Sequence, residues 1–580
     1  MAQTGTRPHR YGLHERPAPL AALGLSAQGA LLNVPAIVLF PLITVQIAGG
    51  SPALADWLVF ISLVVTGVTM VLQTIRTGIV GSGFHLSACP SPVAIPFCAL
   101  ALVEGGPKML AALVFIAGLF GLGVALRLSA LRRVFNPTVT GTISILLAIT
   151  IISVLLEKVD DVPAGGVNAA GLLCGAITLV STLAFLLRNP GFWRVWGPLF
   201  GLTLGCAAAA GFGILDWQVL RHALWVGVPL DGWGGAGYDF GGAFWTLAPA
   251  FLFISALTVV QTNSLSYIAH RVSRPGNRAV DFRAVQGGVV GNSLGNILAG
   301  LAGSIPMIAT PRGSMFVQQT GCASRDVGVL IGIIFVALAF FPKAWALLLI
   351  IPVPVMAAHL LVVLAPMFVE GMRAIVQAKP DYSKSLVVGI SLVIGIAFQY
   401  QLIDLPINQL WESTLQKAIT SGGISVILLT LALEATGPRR RRLNLSLSVD
   451  ELPTINRFVE EFSARNRWNE RTTGRLQAVA EETLLVLTQR EVSDRQLRLR
   501  ITAASSGRGA ELEFITGPSD SENLEDQFAL LGEPPPELEG MLSVGDTPMR
   551  VLRHLATSVN HRQYHETEVI TVQVAVESER

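Results

Sequence analysis

From Leu20 to Thr436 the chain is built of long apolar blocks separated by short polar ones. A spanning helix needs about 20 mostly apolar residues. Twelve blocks fit that template plainly: Gly24–Ala48, Trp57–Ile75, Leu110–Leu126, Val139–Leu156, Ala169–Leu187, Trp196–Leu215, Phe244–Ala269, Val285–Ala302, Val329–Phe341, Ala344–Val369, Ser385–Tyr400 and Gly422–Leu433. Two further apolar stretches are irregular. Gly81–Val103 contains Pro90, Pro92 and Pro96, and Pro306–Gly321 contains Pro306 and Pro311. They are the third and tenth of fourteen, the same place in each half of seven. Interrupted segments in register predict an inverted repeat with a binding site between them.

After the basic run Arg439–Arg442 the pattern changes. Leu443–Val449 alternates as a strand does, and Leu452–Phe462 has helical spacing. Leu476–Leu487 and Met549–Val559 read as helices, and Leu497–Thr502, Glu511–Ile515 and Val569–Val576 as strands. The expected organisation is a tail at 1–19, a transmembrane domain at 20–436 and a small soluble α+β domain at 437–580.

Charge supports that division. Only 14% of the residues are charged, against about 25% in soluble proteins. Basic residues gather in alternate loops: Arg127, Arg132 and Arg133; Arg188 and Arg194; Arg271, Arg274, Arg278 and Arg283; Arg373, Lys379 and Lys384. The intervening loops carry Glu157, Asp160 and Asp161, or Asp404 and Glu412. Basic loops stay on the cytoplasmic side, so both termini are expected there, in a bacterial inner membrane. Arg7, His9, Arg10 and Arg16 precede the first block, which is too long for a cleavable signal core. The five cysteines lie in apolar segments without metal-ligand spacing. No metal, cofactor, catalytic group or nucleic-acid partner is expected.

Several motifs carry a family likeness. Asn136-Pro-Thr-Val-Thr-Gly-Thr142 resembles the Pro-x-Val-x-Gly turn of nucleobase–ascorbate transporters, whose bacterial members are xanthine and uracil permeases. Gly291–Gly303, Thr320–Arg325, Ile351–Val355 and Gly371–Arg373 match further family segments in order and spacing. The resemblance implies fourteen segments in two inverted repeats, a core and a gate domain, broken segments three and ten, a homodimer and elevator-like transport. A proton or sodium ion would be the coupling ion.

The polar anchors differ from the family's. Gln261 stands where the family has an acid in its eighth helix, and Asn292 where it has a supporting Asp. Arg312 and Gly313 open the signature in place of Gln or Glu and Asn, with Ser314 next and Met315 in place of a Gly. Pro92 and Val93 replace the aromatic start of the third half-helix. These residues and Ser264 are the candidate substrate contacts, and His85 is a candidate proton relay. Arg312 at a half-helix N-terminus puts a fixed cation on a positive dipole end. That is costly unless an anion sits there or the side chain snorkels away. Gln318 and Gln319 read as bracing helix packing.

The tail resembles the histidine-kinase-type ATPase fold of anti-sigma-factor kinases through Leu476–Leu485. Its magnesium-binding Asn is replaced by Leu485 or Val486, and its Asp-x-Gly motif is missing from Glu513–Gly517. Gly540 and Gly545 are a trace of the glycine lid. Glu481 and Glu482 then read as solvated charges, and the tail as a regulatory or protein-binding domain. The expected function is secondary transport of a xanthine-, urate- or uracil-type heterocycle. The alternatives are an anion transporter of sulfate-permease-like architecture and a transporter-shaped receptor signalling through its tail.

Overall fold

The computed structural model describes residues 10–131, 137–157, 168–187, 192–215, 217–222, 224–235, 237–274, 279–378, 380–403, 412, 415–416, 418–436, 440–489, 498–506, 509–518, 523–525 and 547–575. Asn136, Arg132, Arg133, Asp160, Asp161, Arg188, Arg278, Lys379, Asp404, Arg439, Gly540 and Gly545 lie outside the described residues. The chain divides into two compact units. One comprises Arg7–Ser273 and Gly287–Leu433, and the other comprises Met1–Thr6, Arg274–Gln286 and Glu434–Arg580.

The larger unit is helical because apolar sequence in a bilayer must satisfy its backbone internally. It opens with α1 (Pro19–Ala48) and α2 (Pro52–Thr74). Ser51 caps α2 by accepting from the Leu54 amide, and Pro52 fills its first turn. A three-residue strand, β1 (Ala88–Pro90), and a single 3₁₀ turn (Pro92–Ala94) lead into α3 (Ile95–Leu126). The helical path of α3 breaks at Gly106, whose φ of 70° precedes Pro107. Next come α4 (Leu128–Leu131), α5 (Pro137–Glu157), α6 (Asn168–Leu187), α7 (Phe192–Gly211) and α8 (Trp217–His222). The second half begins with α9 (Gly242–Ser273) and α10 (Phe282–Ala302). Then follow β2 (Met307–Ala309), α11 (Arg312–Thr320), α12 (Arg325–Ala339) and α13 (Pro342–Leu349). It closes with α14 (Val353–Gln377), α15 (Tyr382–Gln399) and α16 (Ala418–Thr436).

Among the described residues seven helices are long and apolar enough to cross a membrane, or eight if the bent pair α12–α13 counts as one span. The chain is therefore a multi-pass membrane protein. The expected single span Ala344–Val369 is corrected. It is two helices, α13 and α14, parted at Ile350–Pro352. Pro352 and Pro354 lack the N–H that would continue a helix, and proline disfavours helical backbone in the residue before it. The preceding turn is also sharp: α12 and α13 meet at 93°.

Two glycine crossings organise the helices. A Cβ on Gly67 of α2 would lie 2.5 Å from the Gly332 carbonyl of α12, and one on Gly332 would lie 2.6 Å from the Gly67 carbonyl. Gly141 of α5 and Gly371 of α14 form the same reciprocal contact at 2.5 and 2.7 Å. The close approach of each pair is what the missing side chains permit.

The smaller unit carries a five-stranded antiparallel sheet in the order β3-β4-β5-β7-β6. Its strands are β3 (Arg441–Ser446), β4 (Arg498–Ser506), β5 (Gly509–Thr516), β6 (Ser558–Gln563) and β7 (Glu568–Ala575). Helices α17 (Leu452–Arg465), α18 (Glu470–Gln489) and α19 (Thr547–Leu555) complete it. Ile455, Val459 and Phe462 of α17 and Leu476, Val479 and Leu484 of α18 share one core with Ile501, Leu512, Phe514 and Val572 of the sheet. Two expectations are corrected. The helix expected over Met549–Val559 stops at Leu555, and Ser558–Gln563 is a strand. That segment carries little apolar signal; pairing with β7 makes it a strand. Glu482 is not a freely solvated charge, because its Oε2 is buried without a hydrogen-bond partner.

Candidate functional site

The two broken segments meet. β1 pairs antiparallel with β2, placing Ala88 opposite Ala309, Cys89 opposite Ile308 and Pro90 opposite Met307. Flanking bonds extend the ladder: the Ser91 amide donates to the Pro306 carbonyl at 2.7 Å, and the Thr310 amide to the Ser87 carbonyl at 2.8 Å. Prolines at 90, 92, 306 and 311 keep these stretches out of helix, and the pairing satisfies the backbone that proline leaves open. Two asparagines of α10 hold β2 from behind. Asn296 accepts the Met307 amide at 2.6 Å and donates to the Met307 carbonyl at 3.0 Å, while Asn292 donates to the same carbonyl at 3.4 Å.

Each strand runs into a helix start. Pro92 and Val93 are buried in the turn before α3. Arg312 is the first residue of α11, whose N-cap, Pro311, provides no side-chain acceptor. The α11 N-terminus is thus an open set of amide donors at a positive dipole end. Gly313 and Ser314 are buried in its first turn. Gly313 has to be glycine, since a Cβ there would lie 2.2 Å from the His85 carbonyl oxygen.

The Arg312 side chain turns inward. Its Nη1 is buried with no hydrogen-bond partner. It does not snorkel to an interface. Other buried polar atoms without partners in this unit include Ser91 Oγ, Asn292 Oδ1 and Thr262 Oγ1. An unpaired buried donor or acceptor costs about 1–3 kcal/mol, which a ligand or water recovers.

The remaining candidates separate. Gln261 is half-buried on α9, the helix that packs against β2, α11 and the 92–94 turn. Ser264 is spent on its own helix, donating to the Val260 carbonyl at 3.2 Å. His85 is buried. Its Nε2 meets the Ser324 carbonyl at 2.7 Å, its ring lies beside Phe316 at 5.7 Å, and Gly328 closes over it. Gln318 and Gln319 are exposed on α11.

Two participants escaped the sequence reading. Asn296 clamps β2 more closely than Asn292 does. His359, on α14, is 5% exposed, and its Nδ1 is buried with no hydrogen-bond partner. A lone histidine in an apolar spanning segment is a usable signal, because ionisable groups inside a membrane usually mark a site. Among the described residues no group of three or more His, Cys, Asp or Glu side chains is placed to hold a metal ion.

The profile described as "Permease family" matches residues 20–402. Xanthine permease XanP of Escherichia coli (strain K12) is 25% identical over 452 residues, covering 74% of this chain and 96% of that protein. Uric acid permease PucK of Bacillus subtilis (strain 168) is 26% identical over 395 residues, covering 66% and 89%. The solved structure of SLC26A9 superposes with a TM-score of 0.49 at 9% identity, covering 74% of this chain and 68% of that one.

Proposed function

Because this chain belongs to the permease family of nucleobase–ascorbate transporters, we propose that it is a secondary active transporter of a nucleobase or related heterocycle of the xanthine, urate or uracil type. The observation that carries this reading is the β1–β2 crossing, with the unpartnered Arg312 Nη1 beside it. Broken backbone at membrane depth is tolerated only where protein or a cavity covers it, and transporters place substrate there. The matched names of xanthine and uric acid permeases agree with that substrate class.

Within this reading the larger unit is two inverted seven-segment repeats. The reciprocal crossings Gly67–Gly332 and Gly141–Gly371 support it, since each joins one helix of the first half to one of the second. The half-helix starts at Pro92–Val93 and Arg312–Ser314 flank the substrate, with Gln261 and Asn292 as neutral hydrogen-bonding groups. Arg312 replaces a neutral or acidic residue with a permanent cation, so the preferred substrates carry negative charge, such as urate or the xanthine monoanion. The core moves elevator-like against the gate, with proton or sodium as the coupling ion. Both termini face the cytoplasm of a bacterial inner membrane, as the basic loops require. The exposed apolar stripe Leu386, Ile390 and Val393 on α15 suits lipid or a second copy. The tail serves as a regulatory domain without ATP hydrolysis, since Leu485 and Val486 cannot hold magnesium.

Uptake of radiolabelled purines, pyrimidines and inorganic anions into proteoliposomes tests this. Saturable uptake of urate or xanthine is expected, and Arg312→Gln should lower urate uptake at least about tenfold while sparing neutral uracil. Sulfate uptake with no heterocycle uptake would replace this reading with anion transport.

A further inference from the structure

We propose that the smaller unit is an autoinhibitory latch on transport. The turn between β6 and β7 grips the start of α10, while four residues tether the same unit to α16. It thereby holds together two sets of helices that transport slides past each other. This rests on the elevator-like transport proposed above and says how the tail acts on it.

The grip is built from both sides. The Tyr564 amide donates to the Thr567 carbonyl at 2.8 Å and closes the turn. Within it the His565 amide donates to Gln286 Oε1 at 3.1 Å. The Phe282 and Tyr564 rings lie 5.6 Å apart, and the Arg562 guanidinium stands 5.3 Å over the Phe282 ring. Gln286 and Tyr564 are 3% and 4% exposed. A buried glutamine at the head of an apolar helix is costly unless its amide is paired, and the turn supplies a donor. The ring pair and the cation add attraction beyond the area they bury. Asp281 fixes where α10 begins, since its Oδ1 accepts the Arg283 amide at 2.9 Å. All these residues belong to the smaller unit, which takes in Arg274–Gln286 as well as the tail.

From there α10 continues to Ala302. Gln73 Nε2 of α2 donates to its Gly288 carbonyl at 2.7 Å, and its Asn296 clamps β2. The tether leads elsewhere. α16 stops at Thr436 and β3 starts at Arg441, a step that even a fully extended chain spans in at most about 18 Å. The Ala418 amide of α16 donates to Gln399 Oε1 of α15, and the Ile419 amide to Thr150 Oγ1 of α5, both at 2.9 Å. α2 packs against α1 and α12, whereas α5 packs against α14 and α15. A unit that grips one set and is tied to the other resists a slide between them until the grip opens. Opening the Phe282 contacts then adds to the conformational step that limits each cycle.

The test measures initial uptake of radiolabelled urate by the full-length protein in proteoliposomes. Tyr564→Ala and Phe282→Ala should each raise the rate about fivefold, the worth of one aromatic pair. The double variant should go no further than either alone, because both remove the same contact. A cross-link does the converse. In a Cys206→Ala background, whose other cysteines are buried, Phe282→Cys and Tyr564→Cys joined by a reducible bismaleimide should lose most uptake, and reduction should restore it. That arm also serves if an alanine variant is not monodisperse. Uptake not raised by a monodisperse alanine variant, or not lowered by the cross-link, would overturn the latch and leave heterocycle transport standing. No uptake of urate, xanthine or uracil by wild type or any variant would overturn both.

Discussion

Asn296 grips Met307 at both ends of its peptide backbone, donating to the carbonyl at 3.0 Å and accepting the amide at 2.6 Å. One side chain on a continuous helix thereby does for β2 what a neighbouring strand would do. On its other side β2 has only the three residues of β1. The position of α11, and of Arg312 at its start, depends on that clamp.

Asn296→Leu should strip both bonds, leaving the Met307 amide without this acceptor and its carbonyl with only the 3.4 Å bond from Asn292. A loss of about 2 kcal/mol or more is expected, read as a lower unfolding temperature in detergent. Asn292→Leu should cost less, since its single bond is 3.4 Å long. Equal effects of the two would show that the clamp is not at Asn296.

Gly313→Ala forces a methyl to 2.2 Å from the His85 carbonyl oxygen and 2.9 Å from the Ser87 amide nitrogen. Either β1 or α11 has to move, at about 1–3 kcal/mol for an overpacked contact. Substrate uptake should fall with stability. Gly123→Ala is the control, because a Cβ there meets nothing within 4 Å. A Gly313→Ala protein with wild-type uptake would mean that the two half-helix starts are not held in register.

Coupling should also depart from a carboxylate mechanism. Gln261 and Asn292 have no titratable group, and Arg312 keeps its charge at physiological pH. His85 Nε2 is taken up by the Ser324 carbonyl. Uptake of urate into proteoliposomes is therefore expected to change little when a pH gradient is imposed. His85→Ala should lower stability without altering that insensitivity. Strong proton-driven uptake of a neutral base, unchanged in Arg312→Gln and His85→Ala, would contradict this account of the site.

In the smaller unit, burial first and the neighbouring Glu481 second raise the Glu482 carboxyl above its ordinary value of 4.5. The folded state then binds more protons than the unfolded state between 4.5 and the raised value. Stability therefore falls as pH rises through that window. Glu482→Gln should raise the unfolding temperature of the full-length protein at pH 7, with the gain shrinking toward pH 4.5. A gain that is the same at both pH values would point to packing instead of charge.

Spanning helices were legible in the chain because lipid leaves an apolar segment no way to satisfy its backbone except internally. The expected segments Gly24–Ala48 and Phe244–Ala269 lie inside α1 and α9. Proline spacing alone located the two broken segments, since proline removes the donor that a helix needs. Alternation in Leu443–Val449 and Val569–Val576 likewise marked β3 and β7. Other features exist only through contact. Ser558–Gln563 becomes a strand because β7 offers it a ladder, and the split of Ala344–Val369 into α13 and α14 shows only in the fold. The candidate site divides the same way. Sequence singled out Arg312 as a cation out of place, but not that its Nη1, or the Nδ1 of His359, is left buried and unpaired. Hydropathy and motifs report what a segment prefers by itself. Which buried donor lacks an acceptor depends on what a distant helix brings to it, and only the packed chain decides that.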